Sequence, residues 1–232
     1  MKASKSYWKA AHEIGSAVYA NRKRIDVDEQ AGPAYFAGLR LSRWLFWKRL
    51  KLALQHVPTN TVGTCVDFGC GFGLALPLLR ENFGNTTGVD LVPELAIDFM
   101  RRWDNQHQQN ANAVTIVDSM ESSGLKPESV DVVLALDVLE HFESLDAILN
   151  QIHGMLKPGG QLLVTGPTEN WAYQIGRRMV GFTGEYHHQT IYDVLKEVAK
   201  QFEVQVVDQI PALVPLFLVA KATKRQSLGL NT

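Results

Sequence analysis

Residues 64–73, TCVDFGCGFG, constrain this chain most, because they join a short apolar run to three glycines at alternate positions. Those glycines are Gly69, Gly71 and Gly73, and a helical pattern begins at Leu74. Glycine has no Cβ, so a turn of this kind brings bare backbone close to a ligand. The helix that follows adds unpaired N–H groups and the positive end of its dipole. The stretch therefore predicts a strand, a turn and a helix that together bind a nucleotide-like ligand.

The glycine spacing distinguishes two kinds of nucleotide site. A dinucleotide-binding turn has the pattern G-x-G-x-x-G, whose third glycine lets the helix pack closely on the strand. Here the third glycine comes one residue early, and Leu74 occupies the dinucleotide position. Asp67 precedes the first glycine by two residues, where a carboxylate would repel a pyrophosphate. The pattern therefore favours a cationic or amino-bearing ligand.

The segment Asp67-Phe-Gly69-Cys-Gly71-Phe-Gly73 resembles the first motif of the class I S-adenosylmethionine-dependent methyltransferases. The resemblance covers about residues 64–222 and is to the branch with small-molecule and quinone-biosynthesis enzymes. It implies an α/β fold, a Rossmann-like, doubly wound, mostly parallel seven-stranded sheet with helices on both faces. A C-terminal hairpin would supply an antiparallel edge strand. S-adenosylmethionine would be the cofactor and S-adenosylhomocysteine its product.

Strand and helix patterns alternate after the glycine turn, which predicts parallel strands joined by right-handed crossovers. The chain divides into an N-terminal helical extension at 1–57 that would form a cap or lid, a methyltransferase domain at 58–224 and a tail at 225–232. A long irregular segment at 166–188 would be an insertion on the substrate side. Further strands are predicted at 86–91, 113–117, 129–136, 161–165, 203–209 and 213–222, and helices at 74–82, 93–106, 145–156 and 189–201.

Composition limits the class of protein. Hydrophobic residues make up 46% and charged residues 20% of the 232, as in a soluble globular protein with a sizeable core. The formal net charge of −1 argues against a dedicated nucleic-acid binder. Cys65 and Cys70 are too few for a disulfide framework and are expected to be reduced thiols. No secretory pattern is visible, so a cytoplasmic protein is expected.

Residues 40–57 interleave aromatic and basic side chains at helical spacing. One interpretation is a helix packed on the domain with its basic residues solvated. The others are a lid over an apolar substrate and a face that makes peripheral contact with a membrane.

Ligands of open α/β sheets bind at the carboxyl ends of the strands, so the residues at those ends are the candidates for a site. By the resemblance, Asp90 would accept hydrogen bonds from the ribose hydroxyls and Asp118 from the adenine amino group. A capping role for Asp90 and a turn-forming role for Asp118 are the plain alternatives. The predicted cofactor-binding residues are Asp67, Gly69, Cys70, Gly71, Gly73, Asp90, Leu91, Asp118, Ser119, Met120, Ala135 and Leu136.

Asp137, Glu140 and His141 follow the fourth predicted strand at a spacing that would place them on one face of a helix. Such a set could bind a divalent ion. A cluster that supports the cofactor pocket is preferred, because perturbed acidic clusters often only shape a site. No metal is predicted.

His187 and His188 end the insertion, and either could take a proton from an acceptor hydroxyl. Hydrogen-bonded structural histidines are the alternative. Arg177 and Arg178 would either contact an anionic substrate group or be solvated.

The implied reaction is direct transfer of the sulfonium methyl group to a small, partly hydrophobic or lipid-linked acceptor, with a hydroxyl favoured over carbon or nitrogen. No N-P-P-[YFW] tetrad follows the fourth predicted strand. An NAD-dependent oxidoreductase is disfavoured by Leu74 and the terminal hairpin. A non-catalytic methyltransferase-like subunit is disfavoured by the intact glycines and Asp90.

Overall fold

A computed structural model describes residues 1–21, 32–58, 63–108, 114–168, 189–211 and 214–225. The helices in these ranges are α1 (Lys5–Ala20), α2 (Arg40–Gln55), α3 (Leu76–Asn82), α4 (Glu94–His107), α5 (Asp146–Met155) and α6 (Ile191–Val198), with a π-helical turn at Pro33–Ala37 and 3₁₀ turns at Glu121–Ser123 and Leu139–His141. The strands are β1 (Thr64–Phe68), β2 (Asn85–Val89), β3 (Val114–Val117), β4 (Val130–Leu136), β5 (Leu156–Pro167), β6 (Phe202–Ile210) and β7 (Phe217–Lys224).

The strands form one seven-stranded sheet in the order β3-β2-β1-β4-β5-β7-β6. The first five are mutually parallel, and β7 is antiparallel to both β5 and β6. The predicted doubly wound, mostly parallel sheet is therefore confirmed. The predicted antiparallel strand of the C-terminal hairpin is confirmed as β7, but its predicted place at the edge is wrong, because β7 lies between β5 and β6 and leaves β6 at the edge.

Strand β5 begins earlier than the strand that the sequence predicts at 161–165. Helix α5 ends at Met155, but β5 already begins at Leu156 rather than at Gln161. Gly159 has φ 77°, and the pairing of β4 with β5 shifts register between Val130 and Val132. The glycine-rich segment therefore forms an irregular part of the strand, since glycine accepts left-handed backbone without strain.

Two hydrophobic clusters cover the two faces of the sheet. Successive strand residues alternate between them, so that Cys65 belongs to one cluster and Val66 to the other. The first cluster contains buried residues of α1, α2, α3 and α4, and the second contains those of α5 and α6. Both faces are thus buried, as a parallel sheet requires. Among the described residues, no helix combines the length and the apolar character that crossing a bilayer demands.

The N-terminal helices share the first of these clusters. The ring of Tyr7 in α1 lies 4.9 Å from that of Trp103 in α4, and its hydroxyl donates a buried hydrogen bond of 2.8 Å to the Leu74 carbonyl. Gly15 allows close packing, because a Cβ there would lie 2.5 Å from Cζ of Phe36. The Phe36 ring in turn lies 5.1 Å from that of Phe72, inside the glycine turn. The extension is therefore packed against the turn, while its role as a cap or lid stays a prediction.

We expect Tyr7→Phe to lower the free energy of unfolding by about 1–2 kcal/mol, because the buried Leu74 carbonyl would lose its partner. Urea denaturation followed by circular dichroism measures the change. Tyr192→Phe is the matched control, since Tyr192 is 54% exposed and the same change should cost less than about 0.5 kcal/mol. Equal effects of the two substitutions would contradict a role for the Tyr7 hydroxyl.

Candidate active site

The predicted site residues meet at one edge of the sheet. Strands β1 and β4 are neighbours, with β2 and β3 on one side and β5 on the other. The chain therefore reverses its strand order between β1 and β4, and such a reversal opens a crevice beyond the carboxyl ends of the strands. Asp90, Asp118 and Asp137 each directly follow one of these parallel strands. The topology thus brings the candidates from four strand ends together.

The three glycines of the turn have left-handed backbone. Gly69, Gly71 and Gly73 have φ values of 72°, 52° and 73°. The N–H groups of Gly69 and Cys70 both donate to the Val89 carbonyl, at 2.8 and 3.1 Å. This ties the turn to the end of β2.

Two of the glycines also have no room for a side chain. A Cβ on Gly69 would lie 2.6 Å from Cγ2 of Val138, and one on Gly73 would lie 3.1 Å from Cβ of Ala96. Gly69 therefore allows the loop after β4 to pack closely on the turn, and Gly73 allows helix α4 to do the same.

Asp90 braces the turn. Its Oδ2 accepts a hydrogen bond of 2.8 Å from the Gly71 N–H, and its Oδ1 accepts one of 3.0 Å from the Val92 N–H. The second bond closes a short turn of the Asx kind and does not cap α4, whose N-cap residue is Pro93, so the capping alternative is wrong. The first fixes the carboxylate beside the glycine backbone, where a ligand of the turn would meet it. The ribose role stays a prediction.

Asp67 is a buried carboxyl group that is 4% exposed. Burial and the neighbouring Asp90 carboxylate raise its pKa to about 7. No hydrogen bond to this carboxyl group is found among the described residues. A cationic group at this place would stabilise its charged form, and this agrees with the amino-bearing ligand that the sequence predicts.

The remaining cofactor candidates differ in what they present. Cys70 is buried, and a Cβ on Gly88 would lie 3.1 Å from its sulfur, so its thiol packs against β2. Burial raises the pKa of that thiol well above its usual value, so it stays protonated. Ser119 accepts a hydrogen bond of 3.2 Å from the Ser122 N–H, and its hydroxyl therefore caps the short turn that follows. Asp118 is exposed, Leu91 is 90% exposed, Met120 and Ala135 are buried, and Leu136 is half-buried at the end of β4.

A buried arginine of α2 reaches the same edge of the sheet. Arg49 is 4% exposed, and its Nη2 lies 2.7 Å from Oδ2 of Asp137. The interpretation that all basic residues of 40–57 are solvated is therefore wrong for Arg49. Helical spacing alone did not predict this burial, although Arg49 lies between the apolar residues Phe46 and Leu50. The pair connects the N-terminal extension to the residue after β4.

The predicted helix face at Asp137, Glu140 and His141 does not form. Asp137 has φ 56°, and only a 3₁₀ turn, Leu139–His141, follows. A left-handed residue cannot continue a right-handed helix, so the three residues do not share one helix face. Glu140 is 1% exposed, whereas His141 is exposed. In the described part of the chain, no group of three or more such side chains is arranged to hold a metal ion.

The predicted catalytic residues His187 and His188, together with Arg177 and Arg178, lie outside the described residues. So does nearly all of the predicted insertion at 166–188. Their roles stay predictions.

Comparison with known proteins agrees with this geometry. Residues 66–164 match the family model described as a methyltransferase domain. The ubiquinone biosynthesis O-methyltransferase of Pseudomonas syringae is 28% identical over 106 residues, which cover 45% of this chain and 44% of that protein. The enzyme of the same name from Xylella fastidiosa is 31% identical over 101 residues, covering 43% and 40%. The chain thus spans less than half the length of these curated relatives.

Solved structures show the same fold. A protein from Pyrococcus horikoshii superposes with a TM-score of 0.64 at 16% identity, covering 83% of this chain and 96% of that one. A phospholethanolamine N-methyltransferase of Haemonchus contortus, determined with phosphomonomethylethanolamine and S-adenosylhomocysteine, gives 0.57 at 18% identity and coverages of 88% and 57%. Residues 66–164 thus match a methyltransferase domain, and the chain has the fold of these solved structures. These matches agree with the predicted family, enzyme class and cofactor.

The residues at this site fit that cofactor. The three left-handed glycines present bare backbone at this edge, and the buried Asp67 carboxyl group suits an ammonium or sulfonium charge. Asp90, fixed on the Gly71 N–H, adds a second negative charge nearby.

We expect the free energy of unfolding of the cofactor-free protein to fall between about pH 4 and about pH 7, because the pKa of Asp67 rises from 3.8 to about 7 on folding. In this window Asp67 binds more protons in the folded state than in the unfolded state. Its contribution to the free energy of unfolding is therefore fully present below about pH 4 and is lost as the pH rises through about 7. Asp67→Asn should remove up to about 1 kcal/mol per pH unit of this slope. Urea denaturation across the window measures it. The exposed Asp146→Asn is the control and should keep the pH slope of the wild type. If Asp67→Asn kept that slope as well, the assignment of the raised pKa to Asp67 would be contradicted.

Proposed function

We propose that this protein transfers the sulfonium methyl group of S-adenosylmethionine to a hydroxyl group of a small, partly hydrophobic acceptor. The observation that carries the proposal is the glycine turn, in which Gly69 lies against Val138 and Gly71 is held on Asp90. Support for a hydroxyl acceptor comes from the relatives named ubiquinone biosynthesis O-methyltransferase. A carbon or nitrogen acceptor is the alternative, and a solved N-methyltransferase of the same fold keeps it open.

The protein would contribute to this reaction mainly by aligning the reacting groups. The bound cofactor brings the electrophilic methyl group, so the protein must hold acceptor oxygen, methyl carbon and sulfur in line. Asp67 and the end of β4 would hold the amino end of the cofactor, Asp90 its ribose and Asp118 its adenine amino group. His187 or His188 would accept the proton of the acceptor hydroxyl as it attacks the methyl group.

The same site argues against two other functions. An NAD-dependent oxidoreductase would have to bind a pyrophosphate beside Asp67 and Asp90, where two carboxylates repel it. A non-catalytic subunit would have no need for a turn whose glycines are all in left-handed conformation and tied to neighbouring strands.

We expect purified protein to bind S-adenosylhomocysteine and not NADH in a calorimetric titration. Asp90→Ala should weaken that binding at least about tenfold, because hydrogen bonds to a charged acceptor contribute about 1.5–3 kcal/mol. The exposed Asp146→Ala is the matched control and should leave the affinity unchanged within about twofold. Binding of NADH alone, or equal loss in the two variants, would refute the assignment.

The proposal includes a lipid-linked acceptor and peripheral contact with a membrane through residues 40–57. Support comes from the outer side of α2, where Leu41 and Trp44 are 73% and 51% exposed. The helix carries five basic residues and no acidic one, and the Lys48 ammonium lies 5.1 Å from the centre of the Trp44 ring. Exposed apolar side chains among cations are typical of a helix that lies on an anionic bilayer.

We expect the protein to co-sediment with vesicles that contain phosphatidylglycerol and to remain free with phosphatidylcholine alone. Trp44→Glu should weaken this binding about tenfold or more, since it removes an apolar contact and adds a repelled charge. Ile97→Glu is the control, because Ile97 is 48% exposed on α4. Binding that survives Trp44→Glu, or that is lost equally in Ile97→Glu, would exclude α2 as the contact.

A further inference from the structure

The Arg49–Asp137 ion pair joins two parts of the molecule that are far apart in the sequence. Arg49 belongs to the N-terminal extension, whereas Asp137 is the first residue after β4, at the ligand edge of the sheet. A buried guanidinium loses its hydration, and an apolar side chain at the same place would avoid that loss. The ion pair is therefore weak evidence that Arg49 stabilises the fold. It is stronger evidence that Asp137 must be held in one position.

The geometry that it fixes is the bend after β4. Asp137 is a non-glycine residue with φ 56°, a conformation that other contacts must hold in place. Its Oδ2 accepts from Arg49 and also, at 3.1 Å, from the Thr165 hydroxyl. Its own N–H donates to the Thr165 carbonyl at 3.1 Å. The bend is thus held from α2 and from β5.

The guanidinium is itself held on several sides. Its Nη2 donates a hydrogen bond of 3.3 Å to the Tyr35 hydroxyl, and its carbon lies 4.3 and 4.7 Å from the ring centres of Phe46 and Phe217. Trp47 donates from its indole nitrogen to the Tyr35 carbonyl at 3.2 Å. Charge and aromatic contacts together therefore leave the side chain little freedom.

The bend places Val138 over the glycine turn. Cγ2 of Val138 lies 2.6 Å from where a Cβ of Gly69 would be, so the two residues are in direct backbone-to-side-chain contact. A shift of Asp137 would move Val138 and change the space above the first glycine. Contacts thus run without a gap from Arg49 through Asp137 and Val138 to Gly69.

We propose that Arg49 is a positioning residue for the cofactor site, acting through Asp137 and Val138 on the backbone at Gly69. The N-terminal extension is then part of the cofactor site rather than only a cover for it. This inference rests on the proposed function, because it assigns the contacts to the binding of S-adenosylmethionine.

The test is calorimetric titration of the full chain with S-adenosylhomocysteine. We expect Arg49→Met to weaken binding about tenfold or more, because small displacements at a site of this kind have large effects. Arg49→Lys, which keeps the charge but not the planar fork, should lose less. Arg80→Met is the matched control, since Arg80 and Asp104 form a similarly buried pair at 2.8 Å that lies on α3 and α4. That variant should bind within about twofold of the wild type.

A double-mutant cycle separates positioning from a general loss of stability. If Arg49 acts through Val138, the variant Arg49→Met/Val138→Ala should lose no more affinity than the weaker-binding single variant. Additive losses, or equal losses in Arg49→Met and Arg80→Met, would overturn the inference. Should Arg49→Met not fold, Tyr35→Phe takes its place, because it removes only the hydroxyl that accepts from Arg49. Failure of the wild type to bind would instead overturn the proposed function.

Discussion

Everything at the ligand edge depends on how closely three backbone segments approach one another at Gly69. The turn after β1 is tied to β2 through the Val89 carbonyl, and the loop after β4 lies against the first glycine. A side chain at that position would separate the loop from the turn, because a Cβ would meet Val138 well inside contact distance. The bare backbone therefore lets the loop after β4 close over the turn.

The electrostatics of the edge follow from the same closeness. Asp67 is buried in β1, and Asp90 is held beside the turn by the Gly71 N–H. Their proximity and the loss of water raise the pKa of Asp67 to about 7, so a negative charge on Asp67 is unfavourable in the free site and a cation would stabilise it. A pyrophosphate would add to the repulsion. The site therefore discriminates between ligand classes by charge, before any detailed shape is considered.

Local patterns allowed much of this edge to be predicted from the sequence. Adjacent residues are enough to recognise the glycine spacing, Asp67 before it and the aspartates after β2 and β3. The structure places all of these residues at one edge of the sheet. The bend at Asp137 could not be predicted, since Thr165 and Arg49 hold it from 28 and 88 residues away along the sequence. The place of β7 was also missed, because a hairpin fixes the direction of its strands but not which of them reaches β5. Burial of Arg49 likewise depends on Phe217 and Asp137, which helical periodicity does not include.

Helix α2 shows why the extension and the sheet should be considered together. One side of it carries Leu50, Ala53 and Leu54 into the first hydrophobic cluster, and Arg49 extends from it to the end of β4. Its opposite side exposes Trp44 beside Lys48. Because a helix is a rigid element, a displacement of the exposed side must also displace Arg49, and through Asp137 the loop over the glycine turn. A molecule bound on the outer side would alter cofactor affinity only if it bound the two arrangements of that loop with different affinity. Coupling between binding on the outer side of α2 and cofactor affinity would therefore depend on the Arg49–Asp137 ion pair, which connects the helix to the site.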